Sequence, residues 1–416
     1  MNQAPLIADD RIVFGILLAI LGFVFWGSSR TSGFWKKFYG VVPSILMCYF
    51  LPSLLSTANV ISGDVSQLYN MAKYYLLPTA LVLLTLSIDF QGIRNLGPKA
   101  LIMFITGTAG IVIGGPLTVF IFSKISPEIL LSSDGEPVWS GLTTVAGSWI
   151  GGGANQTAMK EVFDVGDTVF SAMVTVDVIV ANAWMAVILW AAGRSKAIDK
   201  WNGADASAID SLRDRVSAYQ AQIAKMPKLS DSMVILGVGF AVTSASHLIG
   251  GKLGPWIGEN YPALIPYSLA SSFFWLVVIA TTGGLLLSTT RARTLEGVGA
   301  SRIGSVFIYV LVATIGMKMD LMAIFRNPGL FALGLVWISF HAGLLILVAR
   351  LIKAPIFFLA VGSQANVGGA ASAPIVASAF HPSLAPVGVL LAVLGYALGT
   401  YGAWICGQLM RLASGG

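Results

Sequence analysis

Few groups in this chain are placed to do chemistry. Asp177 stands inside the apolar run Val174-Thr175-Val176-Asp177-Val178-Ile179-Val180-Ala181-Asn182. An acid in such a run costs at least about 2.5 kcal/mol to insert into a membrane, which makes it a functional candidate by default. Thr175 and Asn182 offer oxygen atoms of the kind a hard cation takes. The three therefore form a candidate cation-coupling set, with a structural hydrogen bond from Asp177 to a neighbouring helix as the competing reading. Two further runs combine glycine with small polar residues: Gly147-Ser148-Trp149-Ile150-Gly151-Gly152-Gly153-Ala154-Asn155-Gln156-Thr157 and Gly362-Ser363-Gln364-Ala365-Asn366-Val367-Gly368-Gly369-Ala370-Ala371-Ser372. Ser148, Gly152, Gly153, Asn155, Gln156 and Thr157 in the first, and Ser363, Gln364, Asn366, Gly368, Gly369 and Ser372 in the second, are the candidate substrate-binding residues. Helix packing through small residues accounts for the glycines and alanines. It accounts less well for amides in both runs, because an unpaired amide is costly in an apolar medium.

Other chemistries find no support. His247, His341 and His381 lack the spacing of a metal site, and Cys48 and Cys406 sit in apolar runs as packing residues. No HExxH, no GxSxG and no paired catalytic aspartates occur, so no catalytic residues and no enzyme are expected. A sodium ion is the cofactor considered, and otherwise none.

The elements that position these residues must be membrane helices. Apolar residues make up 56% of the 416 residues and charged residues 11%, against about 25% charged in a soluble domain. Runs of about 20 apolar residues, each long enough to cross a hydrocarbon core, predict spans at 11–28, 38–59, 68–88, 99–123, 168–193, 232–249, 268–290, 301–317, 329–349 and 385–410. Asp9 and Asp10 precede the first run where a signal peptide carries basic residues, so that run reads as the first helix. The net charge of +6 reflects basic cytoplasmic loops, and no nucleic-acid partner is expected.

The segments 138–163 and 355–380 hold the two glycine-rich runs. Each glycine costs about 1 kcal/mol in a helix relative to alanine, so each segment is either a broken crossing helix or a re-entrant hairpin. If both are hairpins and the N-terminus is outside, Arg30, Lys36, Lys37, Arg94, Lys99, the basic linker 194–230, Arg291, Arg293, Arg302, Arg350 and Lys353 all fall on the cytoplasmic side. If 138–163 crosses instead, the basic linker moves outside, against the positive-inside rule. The hairpin arrangement is favoured. Its weak point is the loop carrying Lys318 and Arg326, which then faces out.

The chain repeats itself. Ile88-Asp89-Phe90 with Ile93-Arg94-Asn95 parallels Met319-Asp320-Leu321 with Ile324-Phe325-Arg326-Asn327, and Ala183-Trp184 parallels Ala403-Trp404. The expected fold is an all-α polytopic membrane protein of two inverted repeats. Each has five spans and a glycine-rich re-entrant hairpin between the fourth and fifth. The repeats occupy 1–193 and 231–416, joined by the cytoplasmic linker 194–230, whose middle around Asp205 to Lys225 predicts an amphipathic helix. Inverted repeats with broken backbone near the midplane mark secondary transporters.

Five helices per half, outside termini and a glycine-rich loop between the fourth and fifth helices resemble the sodium/glutamate and citrate symporter architecture. Gly151-Gly152-Gly153 and Gly368-Gly369 match its hairpin vertices, with Val367 in place of a third glycine in the second. The whole chain is similar to the YjcL-like family, numbered 819 among domains of unknown function and found in bacteria and plastids. The resemblance implies a cation-coupled transporter, homodimeric, moving a hairpin-bearing core against a scaffold by an elevator-like mechanism in the bacterial inner membrane. The expected solute is small and polar or anionic: an amino acid, small peptide or organic acid, carried with sodium or a proton. The alternatives are an ion channel, and a membrane-embedded enzyme or scaffold without transport.

Overall fold

The computed structural model describes residues 5–39, 42–132, 135–204, 209, 227–319, 328–381 and 384–415. The described residues form helices, with an isolated antiparallel bridge between Leu131 and Pro137. The expected amphipathic helix of the linker and the repeat motif from Asp320 to Asn327 lie outside the described residues.

The helices are α1 (Asp10–Ser28), α2 (Gly33–Tyr39), α3 (Ser44–Thr57), α4 (Leu68–Met71) leading through a π-helical turn (Ala72–Leu76) into α5 (Leu77–Leu86), α6 (Phe90–Asn95), α7 (Pro98–Ile125), α8 (Val138–Val162), α9 (Asp167–Ala192) and α10 (Ser195–Asn202). After the linker come α11 (Leu229–Asn260), α12 (Ser272–Ser288), α13 (Ala300–Gly316), α14 (Gly329–Leu351), α15 (Ile356–Val367), α16 (Gly369–Phe380) and α17 (Ala385–Ala413). Among the described residues, six helices are long and apolar enough to cross a membrane, or up to eight spans result if two bent pairs each count as one. The chain is a multi-pass membrane protein.

Where the predicted spans and the helices differ, local chemistry is the reason. The run 38–59 narrows to α3, which begins after Pro43, a residue with no N–H to give a helix. The run 68–88 holds together through the π turn and ends at Leu86, ahead of Asp89, which caps α6 by accepting from the N–H groups of Gln91 and Gly92 at 3.1 and 3.0 Å.

Contacts divide the helices into two bundles. In the first, α5, α12, α13 and α11 pack together, with α1 and α3 against α13. The second is built around α7 and α17, on which α8, α9, α14, α15 and α16 assemble. The bundles meet along α5, α12 and α17, where Thr281 and Thr282 of the first face Thr400 and Tyr401 of the second at 3.2 and 2.7 Å. They also meet in an ionic group at one end. There Lys73 pairs with Glu161, Lys160 with Asp167 at 2.9 Å, and Lys318 with Asp167 at 3.8 Å.

Candidate functional site where two helix breaks meet

Both glycine-rich runs fall at breaks in helices of the second bundle. Along α8 the backbone leaves helical geometry at Gly152, with φ 73° and ψ −175°, a conformation that essentially only glycine adopts. The break between α15 and α16 falls at Gly368 and Gly369, the latter with φ +57°.

The chain turns back at each break. A Cβ on Gly147 would lie 2.6 Å from the carbonyl oxygen of Asn155, whereas residues eight apart in one straight helix are about 12 Å apart. The ends of the first segment are likewise side by side: the Gly166 N–H donates to Glu136 at 3.2 Å, and the Trp139 and Phe163 rings lie 6.0 Å apart. In the second segment the Gln364 Nε2 donates to Ser372 Oγ at 2.8 Å across the break, and the Phe357 and Phe380 rings close the open end at 5.3 Å.

The two open ends point opposite ways along α7. Lys99, at the start of α7, donates to the Lys353 carbonyl at 2.9 Å beside the second segment. Past the other end of α7, Leu131 bridges to Pro137 beside the first. Between these ends the breaks meet: a Cβ on Gly369 would lie 3.9 Å from the Gly152 Cα.

Each break is pinned by a buried asparagine, and the two pins are alike. Asn155 Nδ2 donates to the carbonyls of Gly151 (3.1 Å) and Tyr396 (3.0 Å), while its Oδ1 accepts from Thr400 Oγ1 at 2.6 Å. Asn366 Nδ2 donates to the carbonyls of Gly362 (2.9 Å) and Phe104 (2.9 Å), and its Oδ1 accepts from Thr108 Oγ1 at 2.7 Å. Each asparagine thus spends its amide on protein. One pin follows its break and the other precedes it, so the two lie in different arms.

Sequence reasoning passed over the partners, although a signal for them exists. Phe104-x-x-Gly107-Thr108 and Tyr396-x-x-Gly399-Thr400 share one pattern. It faces Gly-x-x-Ala-Asn at 151–155 and 362–366. The aromatic residue supplies a carbonyl and the threonine a hydroxyl four residues on, on the same helix face. The intervening glycine leaves room for the amide: a Cβ on Gly107 or Gly399 would lie 2.8 or 2.6 Å from the asparagine Nδ2.

Asp177 joins the two arms of the first segment. Its carboxylate accepts from Trp149 Nε1 at 2.6 Å and from Gln156 Nε2 at 2.9 Å, and Ser148 lies beside it. Thr175 and Asn182 are not brought to it. Their side chains donate to the Ser171 and Val178 carbonyls of their own helix, at 3.1 and 2.7 Å. At about 100° per residue, positions two and five away from Asp177 point off its face. Among the described residues, no group of three or more His, Cys, Asp or Glu is placed to hold a metal ion.

Ser363 belongs to a second buried network. His341 Nδ1 lies 2.9 Å from the Gly107 carbonyl, and its Nε2 lies 2.8 Å from Ser363 Oγ. A carbonyl only accepts, so a neutral His341 carries its proton on Nδ1, and Nε2 then accepts from the Ser363 hydroxyl. Ser363 Oγ in turn accepts from Trp184 Nε1 at 2.8 Å. Thr157 bonds back to the Gly153 carbonyl at 3.0 Å.

Two polar features stand at the meeting point. The Gln364 side chain is 2% exposed, and its Oε1 is buried with no hydrogen-bond partner among the described residues. Its amide end is at the break, since a Cβ on Gly368 would lie 2.3 Å from Nε2. α16 begins at the same place with no side-chain cap, and the first N–H groups of a helix have no partner within it.

α10 braces the far end of the second segment. Asp199 Oδ1 accepts from the Ile356 N–H at 2.7 Å, at the start of α15, and Asn202 Nδ2 donates to the Ala354 carbonyl at 2.8 Å. Burial pushes the Asp199 carboxyl above its usual range, opposed by that N–H. A cavity of about 570 Å³ lined by Asn70, Tyr74, Tyr75, Ser244 and His247 lies on the first bundle. No candidate site residue lines it.

The family model for "Protein of unknown function (DUF819)" matches residues 15–413. The chain belongs to this family. It is also 25% identical over 356 residues to "Uncharacterized membrane protein YjcL" of Bacillus subtilis (strain 168), covering 81% of this chain and 82% of that protein. The family match takes in both breaks, both pins and Asp177.

Proposed function

We propose that this member of the DUF819 family is a secondary active transporter, and that its solute binds where the two breaks meet. The observation that carries the reading is the approach of Gly369 to Gly152, between segments that open to opposite ends of the second bundle. In this reading the segments are re-entrant hairpins of two inverted repeats. Each repeat gives three spans to a scaffold, the first bundle, and two spans and a hairpin to a moving core, the second. A membrane-embedded break needs protein or water around it, and one reached from opposite sides suits a site that opens to each face in turn.

The residues at the tips suit one kind of solute. The uncapped start of α16 favours an anionic group, and the open Gln364 Oε1 takes a hydrogen-bond donor. A small solute carrying both, such as an amino acid or a hydroxy acid, satisfies the two features together. Asn155 and Asn366 hold the tips in place and leave solute contact to backbone groups, Gln364 and Ser372. Asp177 ties both arms of the first hairpin together, so a proton or sodium ion that competes for its carboxylate would loosen that hairpin and couple cation to solute. The protein works without catalysis, as a homodimer in the bacterial inner membrane, with both termini outside.

The test is a thermal-shift screen of purified protein with sodium and candidate solutes, because a ligand that binds the folded state raises its stability. Flux of the best solute into proteoliposomes follows. Saturable uptake with counterflow, driven by a sodium or proton gradient and lost in Gly152→Leu, is expected. Flux without saturation or counterflow would establish a channel instead.

A further inference from the structure

The corner between α1 and α2 carries a feature that transport does not use. Phe23 and Trp26 in the last turns of α1 and Phe34, Trp35, Phe38 and Tyr39 of α2 form one ring cluster, with Trp35 at 5.3 Å from Phe23 and 6.0 Å from Trp26. The cluster is open on its outer side: Phe34 is 67% and Trp26 47% exposed, and α2 buries no residue at all. Arg30 lies 4.4 Å over the Trp26 ring, and Lys36 and Lys37 project from α2, both exposed. No Asp or Glu occurs between Asp10 and Asp64, so this stretch of chain supplies no counter-charge.

We propose that the α1–α2 corner is a binding surface for an anionic phospholipid, with Arg30, Lys36 and Lys37 on the phosphate and the exposed rings on the glycerol and upper acyl region. Three features select this partner. The cations stand just beyond the end of the apolar helix α1, and the ends of apolar spans are where headgroups begin and where aromatic side chains are enriched. A soluble anion would leave the exposed rings uncovered. A second copy of the chain, docked about a two-fold axis, would bring the same three cations against themselves. α2 stays on α1 through ring contacts and a close approach at Gly27, where a Cβ would lie 2.8 Å from the Tyr39 ring. The surface is therefore formed before lipid arrives.

Each basic residue near an anionic surface strengthens binding by roughly five-fold. The experiment is native mass spectrometry of the delipidated full chain, titrated separately with dioleoyl phosphatidylglycerol and dioleoyl phosphatidylcholine. The wild type should bind the glycerol lipid tightly and the choline lipid weakly. The triple variant R30Q/K36Q/K37Q should lose at least about ten-fold in phosphatidylglycerol affinity with phosphatidylcholine binding unchanged. Its melting temperature should stay at the wild-type value, because these side chains are exposed. Trp35→Ala should weaken both lipids by removing the apolar half of the surface. Equal phosphatidylglycerol affinity in the triple variant and the wild type would overturn the proposal. Displacement of the lipid by an equal concentration of glycerol 3-phosphate would also overturn it, as would efficient self-crosslinking of Trp35→Cys, which would assign the face to a second copy.

Discussion

The asparagine pins make a quantitative prediction. Asn155→Ala removes two donated and one accepted hydrogen bond from a fully buried position. Side-chain hydrogen bonds inside a membrane protein average about 0.6 kcal/mol with a ceiling near 1.7, so three together contribute about 2 kcal/mol. Thr400→Val removes the hydroxyl that donates to Asn155 Oδ1. A double-mutant cycle between the two should give a coupling of about 0.6 kcal/mol and no more than about 1.7. Asn366→Ala with Thr400→Val should be additive within about 0.5 kcal/mol, because Thr400 bonds Asn155 and not Asn366. Asn155→Asp adds a test of sign. It puts a second carboxylate oxygen where Nδ2 stood, facing the Gly151 and Tyr396 carbonyls, two acceptors with no proton between them. At pH 8 it should be less stable than Asn155→Ala, and the gap should close on acidification as the new carboxyl gains a proton. The measurement is reversible unfolding in mixed micelles with increasing dodecyl sulfate. If Asn155→Ala and Thr400→Val prove additive, or if Asn155→Asp is as stable as wild type at pH 8, Asn155 is not a pin and the assignment of solute contact to backbone and Gln364 loses its basis.

Three other outcomes are expected. Asp177→Asn keeps one acceptor oxygen for Trp149 or Gln156, so the protein should still fold, with the sodium or proton dependence of uptake weakened; unchanged cation dependence would make Asp177 purely structural. Gly147→Val should fail to fold, since its Cβ would sit 2.6 Å from the Asn155 carbonyl, whereas Gly152→Ala, with its nearest neighbour at 3.7 Å, should fold with a loss of about 1–3 kcal/mol set by its backbone angle alone; equal melting temperatures for Gly147→Val and wild type would refute the folded-back arms. A cysteine in the linker 194–230 should resist an impermeant thiol reagent in intact cells while one at the C-terminus reacts, and the reverse pattern would overturn the hairpin arrangement.

Much about this protein follows from its sequence alone. The low share of charge and the apolar runs make a membrane protein, because lipid leaves no other place for such a surface. The triple glycine at 151–153 and the pair at 368–369 mark breaks, because continuous helix through them is costly and the backbone angles at Gly152 and Gly369 suit glycine above all. Asp177 stands out because a carboxylate in an apolar span demands partners. Which partners it has was beyond the sequence. Trp149 and Gln156 are 28 and 21 residues away, and only folding the first segment back on itself brings both to one carboxylate. The cation set of Asp177, Thr175 and Asn182 rests on proximity along the chain, and helical rotation separates it. Asn155 and Asn366 looked free to meet a solute for the same reason: their partners Thr400 and Thr108 are 245 and 258 residues distant. Periodicity reports which side of a helix is apolar, and a glycine reports where backbone can bend. The tertiary structure alone decides which distant carbonyl or hydroxyl satisfies a buried amide, because an unpaired amide is costly in an apolar medium and the chain offers many partners.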